Sequence, residues 1–320
     1  IEALQAAMAT YVASAKQAGA WTKSNDNLIK AIDKIGKTVQ INGVYTDKLA
    51  ELEGDELPLG KTIEEYFIDL TMPATYSDIT TEGAKDDVPA LPAVEDVCYN
   101  YTLGRQKVKT TVPFDNLERA FNSDAGAAAA ITDISAKLQN SVDMTKYQMK
   151  KQLLGNVATK AIAVKASVPD VYKAMPVPVD TETSEAFITA IKQAAEDASF
   201  AHQGGLGNRL IGAAPELKLY VKKGVMPIVE VEALAGAFNS DKLALPASVT
   251  VVDDFGTITG GTSGKQVYAI LIDPRGVKLH EGYNASRYKE NADGDFVNYV
   301  RHFEETGFIS KSTFVRVFEG

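Results

Sequence analysis

The chain has 320 residues, 45% of them hydrophobic and 23% charged, which is long enough to bury a sizeable core in one large domain or two smaller ones. Its 33 Lys and Arg against 42 Asp and Glu give a formal net charge of -9, which argues against non-specific wrapping of nucleic acid by the whole surface. The lone cysteine, Cys98, cannot form an intrachain disulfide, no apolar run approaches the roughly 20 residues that span a bilayer, and no signal-peptide pattern opens the chain. A soluble, non-secreted protein with no membrane partner is expected, stabilised by packing or assembly.

Leu4, Met8, Val12 and Ala13 recur near helical spacing, so Ile1 to Lys16 reads as an amphipathic helix stopped by Gly19. A second short helix follows over Asn25 to Ile35, capped by Ser24 and ended by Gly36. Far from any strand pattern, the two read as an arm.

From Gly43 to Pro113 the chain becomes extended, acidic and punctuated by proline. The run TIEEYFIDLTM puts Tyr66, Ile68, Leu70 and Met72 on one face and Glu65, Phe67, Asp69 and Thr71 on the other, so neither face is consistently apolar. After Pro73 comes a polar tip, SDITTEGAKDDVPALP, and then a return run, VCYNYTLGRQKVKTTV, with the basic Arg105, Lys107 and Lys109. Together these predict a long hairpin of about 70 residues, far beyond usual loop lengths. An isolated two-stranded ribbon is marginal in water, so its covering surface is expected elsewhere.

Asp124 to Gly155 is the strongest helix signal. Ile131, Ile134, Leu138, Val142 and Met149 recur at helical steps, Ser123 or Asp124 can cap the start, and Lys150, Lys151 and Gly155 suit the end. At the helical rise it would be roughly 45 Å long. A second helix is predicted over Thr183 to Ser199 and a short one at VEALAGAFN. Strands are predicted at LKLYVKKGV, PIVE, SVTVVDDF, Gln266 to Asp273 and Phe314 to Phe318. Without regular alternation of strands and helices, the pattern is α+β with a sheet of mixed order.

Motifs that would carry catalysis fail on spacing. TGGTSGKQ, Thr259 to Gln266, has Thr259 where a phosphate-binding loop needs glycine and Gln266 where it needs Ser or Thr, and a strand follows instead of a helix. GGLGNR, Gly204 to Arg209, misses the dinucleotide fingerprint. His202, His280 and His302 are scattered, His280 with Glu281 reads as a strand-end pair, and the adjacent Asp253 and Asp254 point to opposite sides of a strand. No catalytic, cofactor-binding or metal-ligating residue is assigned, and no cofactor is expected.

Four stretches carry a family resemblance. LPLGKTIEEYFIDLTMPATYS (Leu57 to Ser77) resembles the segment that opens the extended loop of the major capsid protein of phi-29-type tailed phages. RQKVKTTVPFDNLERAF (Arg105 to Phe121) is similar to the return of that loop, DAGAAAAITDISAKLQN is similar in place to its long spine helix, and VEVEALAGAFNSDKLALPASVTVVDDF (Val229 to Phe255) resembles a helix and strand of its axial domain. The resemblance implies the HK-97 capsid fold, α+β in class. Its expected parts are an N-terminal arm (1–44), an extended loop (45–115), a peripheral domain (116–160 and 282–312, with the spine helix at 124–155) and an axial domain (161–281 and 313–320). It implies a non-enzymatic protein that self-assembles into pentamers and hexamers of an icosahedral or prolate head, located in the virion capsid and assembled in the host bacterial cytoplasm. Implied partners are further copies of itself, a scaffolding protein, a portal, a decoration protein and the packaged double-stranded DNA. The alternatives are the shell protein of a nanocompartment and, in another class, a soluble α+β ligand-binding protein or enzyme.

A closed shell of one chain requires each copy to present two complementary surfaces. Lys61, Glu64, Glu65 and Asp69 on the rising strand, with Arg105, Lys107 and Lys109 on the return, place both signs of charge on one ribbon and can set a neighbour's register. Exposed pairs of this kind contribute about 0 to 1 kcal/mol each, so the larger share falls to Tyr66, Phe67, Ile68 and Leu70 burying apolar area at about 25 cal/mol per Å². These residues are the candidate inter-subunit contacts.

Overall fold

The computed structural model describes residues 45–57, 63–68, 94–99, 101–113, 124–200, 205–206, 216–236, 245–291 and 293–320. The two helices expected within 1–44, the polar tip and His202 lie outside these residues. Among the described residues the chain runs β1 (Ile63–Ile68), β2 (Val94–Tyr99), β3 (Tyr101–Pro113), α1 (Asp124–Val164), β4 (Tyr172–Ala174), α2 (Thr181–Asp197), β5 (Lys218–Lys222), α3 (Val225–Gly236), β6 (Ser248–Val252), β7 (Val267–Ile272), β8 (Val277–Asn291), β9 (Phe296–Ile309) and β10 (Val315–Glu319). They fall into two compact units.

The first unit comprises 45–57 and the described residues within Tyr101–Leu154 and Lys278–Gly307. Its sheet has the order β3-β9-β8. Val297, Tyr299 and Phe303 are buried while the residues between them are not, the period of a strand with one covered face. Phe303 and Leu279 from this sheet pack with Val142 and Met149 of α1, and Val108 of β3 joins them. Residues 45–57 form a strap on the same unit. Leu49 and Leu52 are fully buried, the Gly54 amide donates to the Leu279 carbonyl at 2.8 Å, and the Leu57 amide donates to the Glu281 carbonyl at 2.8 Å. A Cβ at Gly54 would lie 2.3 Å from the His280 ring, so a larger residue there has to displace that ring.

Three expectations are corrected here. The return run is expected to lie beside the rising strand; its first residues do so, Val97 to Tyr99 of β2 standing opposite Glu65 to Ile63 of β1, but from β3 onward it pairs antiparallel with β9, Arg105 opposite Glu304 through Pro113 opposite Phe296. A strand of 13 residues finds a partner of matching length in the 14-residue β9, whereas β1 offers 6 residues and pairs with β2. The long helix does not end at Gly155 but continues to Val164, 41 residues in all, about 60 Å long. Gly155 serves close packing, because a Cβ there would sit 2.1 Å from the Phe255 carbonyl oxygen. Lys150 and Lys151 are therefore not charges on a helix end; they lie within the helix, and both are buried.

The second unit comprises the described residues within Lys61–Asn100, Gly155–Val277 and Phe308–Gly320. The β1–β2 ribbon belongs to it, with Ile63 opposite Tyr99 and Ile68 opposite Val94. Its main sheet has the order β4-β10-β7-β5-β6, in which β10–β4 and β5–β6 are parallel and β10–β7 and β5–β7 antiparallel. This is the mixed order expected. Every residue of β7 and β10 is buried, as suits central strands covered on both faces. α2 starts at a capping box in which the Asp180 carboxylate accepts from the Thr183 amide at 2.9 Å and the Thr183 hydroxyl accepts from the Asp180 amide at 3.2 Å. Its Phe187 ring stacks edgewise on Phe318, centroids 5.5 Å apart, and tilted on Tyr268 at 5.4 Å.

PIVE, expected as a strand, lies instead within α3. β5 is ended by Gly224 at φ +90, a left-handed conformation that glycine adopts readily, and the helix starts at the next residue. Pro227 falls in its first turn, where no intrahelical amide is lost. Val225, Met226 and Val229 are buried together with α2 and β5 residues, so helical spacing covers them where a strand would turn alternate residues outward. Asp253 and Asp254 follow β6 rather than lying on it, and the Gly256 amide donates to Asp254 at 2.8 Å.

Candidate assembly surface

The candidate contact residues do not occupy one ribbon. Glu64, Glu65, Tyr66, Phe67 and Ile68 stand on β1, opposite Cys98, Val97, Asp96, Glu95 and Val94 of β2. Lys61, Asp69 and Leu70 lie outside the described residues. Arg105, Lys107 and Lys109 stand on β3 in the sheet of the first unit, opposite Glu304, His302 and Val300. The expected arrangement of both charge signs on one ribbon is corrected accordingly: the described acids and the bases belong to different sheets because β3 takes β9 as its partner.

Glu64 is exposed and Glu65 is half-buried. The Glu65 carboxylate accepts from the Ser310 hydroxyl and, at 3.2 Å, from the Lys311 amide. On β3, Arg105, Lys107 and Lys109 alternate with the half-buried Val108 and buried Thr110 and form an exposed basic row. The row lies along a sheet edge, where charged residues discourage unplanned strand pairing. Arg105 is paired with Glu304 at 3.2 Å, and its guanidinium lies 4.6 Å from the centre of the Tyr283 ring.

Beneath this sheet runs a polar stripe on α1. The Gln139 amide donates to Asp143 at 2.8 Å and its oxygen accepts from Arg301 at 2.6 Å, while Arg301 also donates to Asn284 at 3.0 Å. Lys146 pairs with Glu281 and lies 3.1 Å from Glu305. Lys150, with no exposed surface, pairs with Asp47 and, at 2.9 Å, with Glu53 of the strap. Burial pushes Glu305 up to about 7, an effect that Lys146 reduces but does not cancel. Burial likewise raises Asp143. Glu281 goes the other way: burial would raise it, but Lys146, Asn284 and Arg301 together outweigh burial and hold its carboxyl below the ordinary range. For Lys146, burial opposes the charged form, yet Glu305 and Glu281 outweigh it and raise the ammonium.

This stripe was missed from sequence. Its one legible signal is that Lys146 and Lys150 sit four residues apart among apolar positions, where both share one helix face. His280 and Glu281, expected as a strand-end pair, lie inside β8 and diverge: the His280 Nδ1 lies 2.9 Å from the Asp55 carbonyl, whereas Glu281 meets Lys146.

In the second unit, the loop that superficially resembles a phosphate-binding motif is held by an acid. Glu319 accepts from the Thr262 amide and hydroxyl, both at 2.9 Å, and from the Tyr172 hydroxyl. Burial would raise this carboxyl, but the three hydrogen bonds outweigh it and keep it below its usual range. Both Thr262 donors thus face a carboxylate of the chain itself. Among the described residues no cluster of three or more His, Cys, Asp or Glu is placed to hold a metal, and no helix is long and apolar enough to cross a membrane.

Comparison with known proteins agrees with this architecture. The chain is 24% identical over 299 residues to the major capsid protein of Bacillus phage PZA, covering 91% of this chain and 62% of that protein. The chain thus spans about three fifths of that relative's length. A chain of the Staphylococcus phage Andhra capsid superposes with a TM-score of 0.56 at 11% identity, over 85% of this chain and 84% of that one. One from the bacteriophage PhiM1 mature capsid superposes with a TM-score of 0.54 at 11% identity, over 86% of this chain and 87% of that one. At such identities the likeness speaks for the fold alone, which is the HK-97-like fold of phage capsid proteins. The model of the Phi29-like phage major capsid protein matches residues 3–318, and the chain belongs to that family.

Proposed function

We propose that this chain is the shell-building part of a phage major capsid protein, a structural rather than catalytic subunit that assembles through many copies of itself into a virion head. The match of the family model to residues 3–318 carries this reading. In it, the first unit corresponds to the peripheral domain with α1 as spine helix, the main sheet of the second unit to the axial domain, and the β1–β2 ribbon to the extended loop. Its finer parts are pentamers and hexamers of an icosahedral or prolate head around double-stranded DNA, assembled in the host cytoplasm with a scaffolding protein, a portal and a decoration protein.

Tyr66, Phe67 and Ile68 supply the apolar contact in this reading, and Lys61, Glu64, Asp69, Arg105, Lys107 and Lys109 set register. Replacing Tyr66, Phe67 and Ile68 together by serine is expected to leave the subunit's far-UV circular dichroism and melting intact while abolishing shells in negative-stain microscopy. Normal shells from that variant would remove the ribbon from the interface. A parent protein that stays monomeric at high concentration would sink the shell reading itself. Particles holding cargo enzyme and no nuclease-resistant DNA would favour a nanocompartment.

A further inference from the structure

Among the candidate contacts, Glu65 has both carboxylate oxygens placed on partners in its own chain. The partners form a prepared site. β9 ends at Ile309 and β10 begins at Val315, and the turn between them is held from behind. The Ser310 amide donates to the Gly276 carbonyl at 2.7 Å, and Gly276 packs so closely that a Cβ would sit 1.8 Å from the Thr313 hydroxyl. Ser310 is only 2% exposed. Its hydroxyl oxygen accepts from the Ser312 amide at 3.0 Å, which leaves the single hydroxyl proton to be donated. That proton goes to one oxygen of Glu65, while the Lys311 amide donates to the other at 3.2 Å.

A turn that presents a fixed hydroxyl and a backbone amide to one carboxylate is a small anion-recognising nest, and hydrogen bonds to an ionised acceptor are about twice as strong as neutral ones. We propose that Glu65 is a positioning residue: it docks the root of the β1–β2 ribbon on the Ser310–Ser312 turn and so fixes the direction in which the ribbon is offered to a neighbouring copy. This rests on the shell reading for its consequence, but not for the dock itself. Exposed acids on a ribbon would tolerate many directions. A two-point dock near the start of β1 tolerates few, and a small rotation there is amplified along the ribbon.

Two variants, Glu65→Gln and Ser310→Ala, and their combination provide the test. Glutamine puts a donor where the turn already supplies donors; alanine removes the hydroxyl of a residue only 2% exposed in the subunit. In unassembled subunits each single variant is expected to speed hydrogen exchange at the Lys311 amide by about ten-fold, with the melting transition unchanged. In assembly, each raises the concentration for half-maximal shell formation by about ten-fold, and the double variant is no worse than either single one, as for two groups acting through one contact. If Glu65→Gln impairs assembly while Ser310→Ala does not, Glu65 touches the neighbour directly and the proposal is overturned. Unchanged exchange at Lys311 in both variants overturns it as well. Should the parent form no shells, the shell reading fails and the exchange measurement by itself decides the dock.

Discussion

Lys150 offers the sharpest test of how the first unit holds its strap. The ammonium has no exposed surface, and the two carboxylates that neutralise it come from Asp47 and Glu53. The exposures differ: the side chain of Asp47 is 18% exposed and that of Glu53 55%, against 0% for the lysine. Removing the lysine therefore leaves two acids that can turn to water, while removing the acids leaves a buried cation without charge compensation. Breaking a buried pair on the side that strands a charge costs about 3–5 kcal/mol. Asp47→Asn with Glu53→Gln is expected near the lower end, about 3 kcal/mol, since the amide oxygens still accept hydrogen bonds, and the asparagine can keep the bond from the Leu49 amide now made at 2.8 Å. Lys150→Met, which keeps the aliphatic length, is expected within about 1 kcal/mol of the parent. Urea unfolding of unassembled subunits, followed by circular dichroism, measures both. Equal losses in the two variants, or a double neutralisation as stable as the parent, would refute the argument that the acids serve the lysine rather than the reverse.

Two further predictions concern α1 and the strand beside it. Glu305 is held at about 7 in the folded chain against an ordinary 4.5, so between these values the folded state keeps a proton that the unfolded state has lost. Stability from this group is then greatest at the acidic end and falls as pH rises, by up to about 1.4 kcal/mol per unit and about 3 kcal/mol across the window. Glu305→Gln should gain on the parent progressively from pH 4.5 to 7, with Lys146 retaining Glu281, and a stability difference that does not change with pH would contradict this. Gly155→Ala would gain about 1 kcal/mol in a free helix, but here the new methyl meets the Phe255 carbonyl oxygen at 2.1 Å. Overpacking of about 1–3 kcal/mol, at the upper end because backbone cannot swing aside, makes a net loss of about 2 kcal/mol the expected outcome in thermal melts; a stabilised variant would show that the contact relaxes freely.

Local patterns in the chain are legible where periodicity and burial agree. The apolar positions Ile134, Leu138, Val142 and Met149 are the buried face of α1. Thr183 to Ser199 anticipated α2 within two residues at each end, and the unbroken apolar VYAILI became a fully buried central strand. Local patterns mislead where one residue serves a distant one. Gly155 reads locally as a helix stop and acts as clearance for Phe255. Lys150 reads as a terminal charge and is the buried partner of a strap 97 and 103 positions earlier in the chain. PIVE reads as a strand because its residues favour one, and packing beside α2 overrides that preference. On the candidate surface, the residue types were legible while their grouping was not: nothing local says that β3 leaves the ribbon for β9, or that Glu65 is engaged by a turn some 245 residues downstream.

By itself, then, the sequence determined the α+β class, the long helix, the family and the absence of any defensible catalytic motif, because these rest on period, spacing and residue type within short windows. Only the tertiary structure decided where α1 ends, which strand partners the basic row, which lysines are buried and that Glu65 docks on the Ser310 turn. Those choices depend on pairings between residues far apart in the chain, and such pairings are settled by which surfaces can be buried with every donor, acceptor and charge satisfied.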